Sequence, residues 1–229
     1  MRVGAVAEHL SQIDPECRLA LAYVTPRHRD AVGALFALDA ALAMVIAGGG
    51  QPLTRQLKLA WWRDALTRLD QSPPPPEPVL QRITSCLLPN GVEGIELGTM
   101  TEGWEHLLGD ALLSPSDMKA YAQLRGGLLF EFAARILTED PTPAVARAGE
   151  AWALADLARR SRAAGDIAAA LSAVRERTDA HERLPIPLRP LGMLAMLAAR
   201  DAERGPGRIE TRGAPRRMLA MLRYRLIGR

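Results

Sequence analysis

From Arg29 to Gly50 the chain reads RDAVGALFALDAALAMVIAGGG, a long apolar helix that closes on three glycines. Its positions Val32, Leu35, Phe36, Ala43 and Ile46 keep helical spacing. A second stretch of similar kind, GEAWALADLARRSRAA, runs from Gly149 to Ala164. The pair is expected to form two facing walls of a cavity. Ala and Leu dominate, and β-branched and aromatic residues are scarce, with aromatics at only 4%. No segment alternates apolar and polar residues long enough to make a strand. That is the profile of an all-helical protein. With 229 residues, 48% of them hydrophobic, residues 1–229 are expected to form a single domain with a sizeable core.

The remaining elements follow from punctuation. Pro15 to Val24 is predicted helical behind Asp14 as N-cap. Thr25-Pro26 restarts the chain into the long helix, and Gly48 to Pro52 stops it. Leu53 to Leu69 turns Leu59, Trp62 and Leu66 to one face, and Trp61-Trp62 should place one ring inward. SPPPPEP at 72–78 reads as a stiff polyproline loop. Helices are then predicted over Val79–Leu88, Val92–Leu108, Ser114–Leu137 and Thr142–Arg175, the last broken at Gly165. An extended LPIPLRP at 184–190 precedes helices Leu191–Glu203 and Ala214–Ile227. Gly126-Gly127 lies inside one helix at a cost of roughly 1 kcal/mol per glycine against alanine. Such a cost points to close helix packing or to a kink.

The formal charge of +3 is too mild for a nucleic-acid binder. It is unevenly placed. Nine arginines between Arg200 and Arg229 face Asp201, Glu203 and Glu210. Two readings stand open: a solvated basic stretch, or a dock for an anionic membrane surface or an acidic partner. Cys17 and Cys86 have no metal spacing and read as reduced thiols of a cytoplasmic protein. The N-terminus shows no signal peptide. The longest unbroken apolar run, Ala40–Gly50, is too short for a transmembrane segment. His9, His28, His106 and His181 are scattered. Glu102, Glu105 and His106 do not form the repeated Glu-x-x-His unit of a di-iron bundle. Gly48-Gly49-Gly50 follows a helix and reads as a C-cap, not a phosphate loop.

Four segments in order carry a resemblance: ALFALDAALAMVI, LKLAWWRDAL, AYAQLRGGLLFEFAARIL and GEAWALADLARRSR. Together they resemble the squalene/phytoene synthase family of head-to-head prenyl transferases. The closing LPIPLRPLGMLAMLAARDAERG and RRMLAMLRYRLIGR look like a divergent bacterial branch, one similar to the mitochondrial complex I assembly factor of that fold. The resemblance implies an isoprenoid-synthase-like helical bundle around a central apolar cavity. In active members two aspartate-rich helices hold Mg²⁺ against the substrate diphosphates, whose charge must be neutralised inside an apolar cavity.

Set against the family pattern, the first acidic helix matches at Ala34 through Leu38. Its arginine position holds Ala40, and its aspartate positions hold Ala43, Met44 and Ala47. Asp39 lies one turn too early. Tyr121 through Gly127 match the central motif, with Gly126 for its alanine. On the second helix Gly149, Ala151, Leu154 and Arg159 match, Ala153 and Asp156 replace the glutamine and asparagine, and Arg160 and Ala164 stand at the aspartate positions. Asp39, Asp156 and Asp166 rebuild no i, i+4 pair, although Asp39 and Asp156 could stand as a lone opposed pair.

The expected protein is therefore catalytically degenerate, with no catalytic residue and no metal or cofactor. Asp39, Ala43, Ala47, Tyr121, Gly127, Asp156, Arg159, Arg160 and Ala164 would line the cavity. The ligand would be an isoprenoid or other lipid, or the partner a membrane-associated complex at the inner membrane. The alternative is an active, Mg²⁺-dependent prenyl transferase of isoprenoid biosynthesis. A third reading is metal-free binding of an anion by Arg159, Arg160 and Arg162.

Overall fold

Prolines and short polar caps cut this chain into helices, and the computed structural model follows them. It describes residues 14–49, 51–109, 112–178 and 183–228. Readings that concern residues 1–13, Gly50, His181 or Arg229 lie outside the described residues. Helix α1 (Pro15–Ala22) starts behind Asp14, whose carboxylate accepts from the Glu16 amide at 2.7 Å. Helix α2 (Pro26–Ala47) ends at Gly48, and Gly49 takes φ 68°. Next come α3 (Pro52–Arg68), α4 (Pro78–Arg82) with a π turn at Ile83–Leu87, and α5 (Gly94–Glu105). Helix α6 (Pro115–Tyr121) runs through a second π turn, Ala122–Gly127, into α7 (Leu128–Leu137). The described chain closes with α8 (Ala144–Arg160), α9 (Ala164–Thr178), α10 (Arg189–Arg204) and α11 (Pro215–Ile227). Among the described residues there is no strand.

Two boundaries differ from the sequence reading. The long helix over 142–175 breaks at Ser161–Ala163, not at Gly165. Ser161 adopts an extended conformation and its hydroxyl accepts from the Ala163 amide at 3.1 Å. A serine side chain thus competes with the helical ladder and ends it. The segment 184–190 is not extended throughout. Ile186–Leu188 form a 3₁₀ turn and α10 already begins at Arg189, with Pro190 in the first turn, where a missing amide costs nothing.

Helix α2 supplies the centre of the core through Val32, Leu35, Leu38 and Leu42, all fully buried. By length and composition alone it could cross a membrane, but most of its apolar window lies inside the bundle. As expected, Trp62 is buried and Trp61 half-exposed. The glycine pair is explained by packing. A Cβ on Gly126 would lie 2.1 Å from the Gly149 carbonyl oxygen, and a Cβ on Gly149 would lie 2.0 Å from that of Gly126. The second π turn and α8 therefore touch backbone to backbone, which only glycine permits.

On helix propensity alone, Gly149→Ala would stabilise the chain by about 1 kcal/mol. Here the sign reverses: backbone cannot yield as a side chain can. Overpacking should destabilise by about 1–3 kcal/mol or more, read as a lower urea midpoint by circular dichroism. An unchanged or raised midpoint would remove this contact from the account.

Candidate functional site

Helix α2 brings Asp39 inward, α8 brings Asp156 inward, and the two carboxylates do meet as an opposed pair. What lies between them is Arg125, from the second π turn. Its Nε and Nη2 donate to the two oxygens of Asp39 at 2.7 and 2.9 Å. Its Nη1 lies 2.7 Å from Asp156 Oδ2 and also donates to the Tyr121 hydroxyl. The guanidinium carbon sits 4.2 Å from the ring centre of Trp104, 4.8 Å from Trp152 and 5.4 Å from Tyr121. Arg125 is 1% exposed, Asp39 6% and Asp156 4%. A planar cation is thus held edge-on by carboxylates and face-on by rings, the geometry that suits arginine best.

Asp156 serves more than one cation. Its Oδ2 accepts from Arg160 Nε at 2.8 Å, and its Oδ1 accepts from Arg212, which also reaches Asp14. Burial pushes the Asp156 carboxyl up, but Arg125, Arg160 and Arg212 outweigh it and hold it far below the usual carboxylate range. Burial pulls the Arg125 guanidinium down, and Asp39 and Asp156 more than reverse this. The Tyr121 phenol is raised, chiefly by burial. A second buried network adjoins the first. Arg217 donates to Glu16 at 2.5 and 2.9 Å and to Asp201, and Arg159 donates to Asp201 at 2.7 Å and to the Glu210 carbonyl at 3.0 Å.

The room between the two carboxylates is therefore taken by Arg125. What remains is an open groove of about 470 Å³, lined by Ala43, Ile46 and Ala47 of α2, Trp104, Leu107 and Tyr121, and Leu157, Arg160, Arg162 and Asp166. Of the expected site residues, Ala43, Ala47, Tyr121 and Arg160 line this groove. Asp39 and Asp156 lie in the salt-bridge network. Gly127 faces Glu150 and Ala146 instead. Arg159 is turned to Asp201, so it is no part of an arginine cluster at the mouth. Ala164 opens α9 and is not among the groove's lining residues, while Arg162 and Asp166 on either side are. Trp104 is 1% exposed, and its indole N–H has no acceptor among the described residues.

The sequence reading missed Arg125, Trp104, Trp152 and Arg212. Arg125 was within sight: it follows Tyr121 by four residues in the motif AYAQLRGG, one helical turn. Part of the basic stretch is turned to acids within the fold. Arg200 and Arg204 pair with Glu210, Arg212 with Asp14 and Asp156, and Arg217 with Glu16 and Asp201.

The Mg²⁺ that the resemblance implies does not fit these residues. Magnesium asks for octahedral oxygen donors. Both oxygens of Asp39 and both of Asp156 already accept from guanidinium groups. Along α2, positions 43 and 47, one and two turns further, are alanine. Among the described residues no three His, Cys, Asp or Glu side chains gather as a metal set. The pairs near α5 are likewise occupied: Arg63 with Glu102 and Glu105, and His106 with Asp117 at 2.9 Å.

Two outcomes test the network. Arg125→Leu should destabilise by roughly 3–5 kcal/mol because it strands buried carboxylates. Adding Asp39→Leu should recover part of that loss in urea unfolding. Because the folded Asp156 carboxyl is depressed, its stabilisation is present above the unfolded value and drains away as pH falls below about 4. The slope of stability against pH in that range should be shallower in Asp156→Asn than in the wild type.

Comparison with known proteins adds one finding. A family model described as squalene/phytoene synthase matches residues 10–171, well over half of the chain. No curated protein and no solved structure matches it.

Proposed function

The chain belongs to the squalene/phytoene synthase family, and from that premise we propose that it is a binding member of the family and not a prenyl transferase. It would hold an apolar ligand, a lipid or isoprenoid chain, in the groove beside α2, serving as a carrier or assembly factor. The observation that carries this reading is Arg125. One helical turn from the positions where the family pattern puts its metal-binding aspartates, the two remaining carboxylates hold a cation of the protein's own. A guanidinium fixed by two carboxylates and three rings cannot leave with a product. It also occupies the acids that a metal would need.

The groove's chemistry supports the kind of ligand. Its walls are alanine, isoleucine, leucine and two aromatic rings. Arg160 and Arg162 stand at its edge with Asp166, whose carboxylate accepts from the Leu113 amide at 3.0 Å. Trp104 lines it with a buried N–H that meets no acceptor among the described residues. An apolar chain bearing an acceptor oxygen would satisfy that donor, whose isolation otherwise costs about 1–3 kcal/mol. The family's own substrates share this chemistry, so the reading changes the fate of the ligand more than its class.

The test has two arms. Incubated with Mg²⁺ and farnesyl or geranylgeranyl diphosphate, the protein should release no diphosphate above a protein-free blank. It should bind a fluorescent long-chain fatty acid whether or not EDTA is present. That affinity should fall in Ala47→Trp, which narrows the groove, and by about fivefold in Trp104→Phe, which removes one hydrogen-bond donor. Sustained diphosphate release would overturn the reading in favour of an active transferase. Probe binding indifferent to both substitutions would place the ligand elsewhere.

A further inference from the structure

Helix α11 is built inside out. Its inward side carries Arg217, 1% exposed, with Met221 and half-buried Tyr224. Its outward side carries Leu219 at 68% and Leu226 at 77% exposure, with Leu222 half-buried between them. Spacing of three and four residues puts these leucines in one stripe. Arg216 and Arg223, seven residues apart and both exposed, run alongside. Ile227 adds to the apolar end, and Arg225 lies 5.8 Å from the ring of Tyr23, itself 40% exposed. The helix PRRMLAMLRYRLI contains no acid. Nor is it loosely held. Arg189 donates to the carbonyls of Arg225 and Leu226, and Tyr224 packs on Gly192. The inward arginine is neutralised by Glu16 and Asp201, so the outward ones keep their field.

We propose that this face of α11, with Tyr23 beside it, docks on an anionic lipid surface. A leucine stripe flanked by arginines and an aromatic ring is the composition of a helix lying in a membrane interface. The cations meet anionic headgroups while the leucines enter the acyl boundary. A second copy of this chain is a poorer occupant. A two-fold pairing of α11 would set Arg216 and Arg223 against their own duplicates. The surface is separate from the groove beside α2 and shares none of its lining residues.

The experiment is sedimentation of the full chain with vesicles of phosphatidylcholine alone, or mixed with phosphatidylglycerol. Binding should require the anionic lipid and weaken with added salt. It should fall about fivefold for each cation removed in Arg216→Ser and Arg223→Ser. Leu219→Glu with Leu226→Glu should abolish it, circular dichroism showing that the helices persist. Should that double variant fail to fold, Leu226→Ser serves, with a partial loss expected. Absence of binding to anionic vesicles overturns the proposal and leaves an acidic protein as the occupant. So does binding that the leucine substitutions do not reduce. Ala47→Trp should sediment like the wild type, so failure of the groove reading leaves this one intact.

Discussion

Arg125 is a full positive charge with almost no water around it. Such a group survives inside a protein only where opposite charge and hydrogen-bond acceptors are arranged around it. Here they come from α2, α8 and the turn that carries the arginine itself, so the ion fixes three segments in mutual register. The constraint spreads outward. Asp156 passes charge to Arg160 and Arg212, and Arg212 ties the segment before α11 to Asp14 at the start of α1. Asp201 joins Arg159 to Arg217, and Arg217 joins Glu16. Segments far apart in sequence are closed on one another through arginine. Interactions of this kind add little net stability over a well-packed apolar core, but they penalise any packing that strands a member.

The same electrostatic demand has two solutions. Two carboxylates facing each other in apolar surroundings need a cation between them. A divalent metal meets the need and can be exchanged, carrying an anionic leaving group with it. A guanidinium on the chain meets it permanently, with directional hydrogen bonds and ring contacts that a metal would not use. The alanines at 43 and 47 and the arginine at 160 agree with the second solution. They add no carboxylate beside the pair.

The sequence showed the fold class, most helix boundaries and the family, because these rest on local pattern and order. Helix α2 was legible from apolar period and terminal glycines. The Gly126-Gly127 pair was legible as close packing, though not its partner Gly149, which lies more than twenty residues away. Arg125 between the two carboxylates was missed for a different reason. A pattern of missing aspartates says what cannot be bound, and says nothing of what fills the room. Arg125 looks like any helix arginine in sequence, since burial of a charge depends on contacts from three separate segments. The Ser161 break is hard to see in sequence because glycine, as at 165, is the stronger helix breaker, while a serine that turns on its own backbone carries no period at all.

The arginines after position 200 carry this lesson further. Counting charge over that stretch treats every arginine as facing water. Arg200, Arg204, Arg212 and Arg217 instead answer acids within the fold. What reaches solvent from α11 is a narrower set, Arg216 and Arg223, placed beside leucines that the core does not take. A helix with an apolar stripe would ordinarily turn it inward. This one cannot, because its inward side is committed to Arg217 and the carboxylates of Glu16 and Asp201. Rotating α11 to bury Leu219 and Leu226 would pull Arg217 out of both ion pairs and leave the buried Glu16 without its cation, at a cost of about 3–5 kcal/mol. Arg216 and Arg223, which flank the stripe, would be carried inward as well, so the roughly 3–6 kcal/mol from burying two leucines does not offset the rotation. The exposed leucines are thus a consequence of the internal ionic network, which leaves them available to a surface outside the chain.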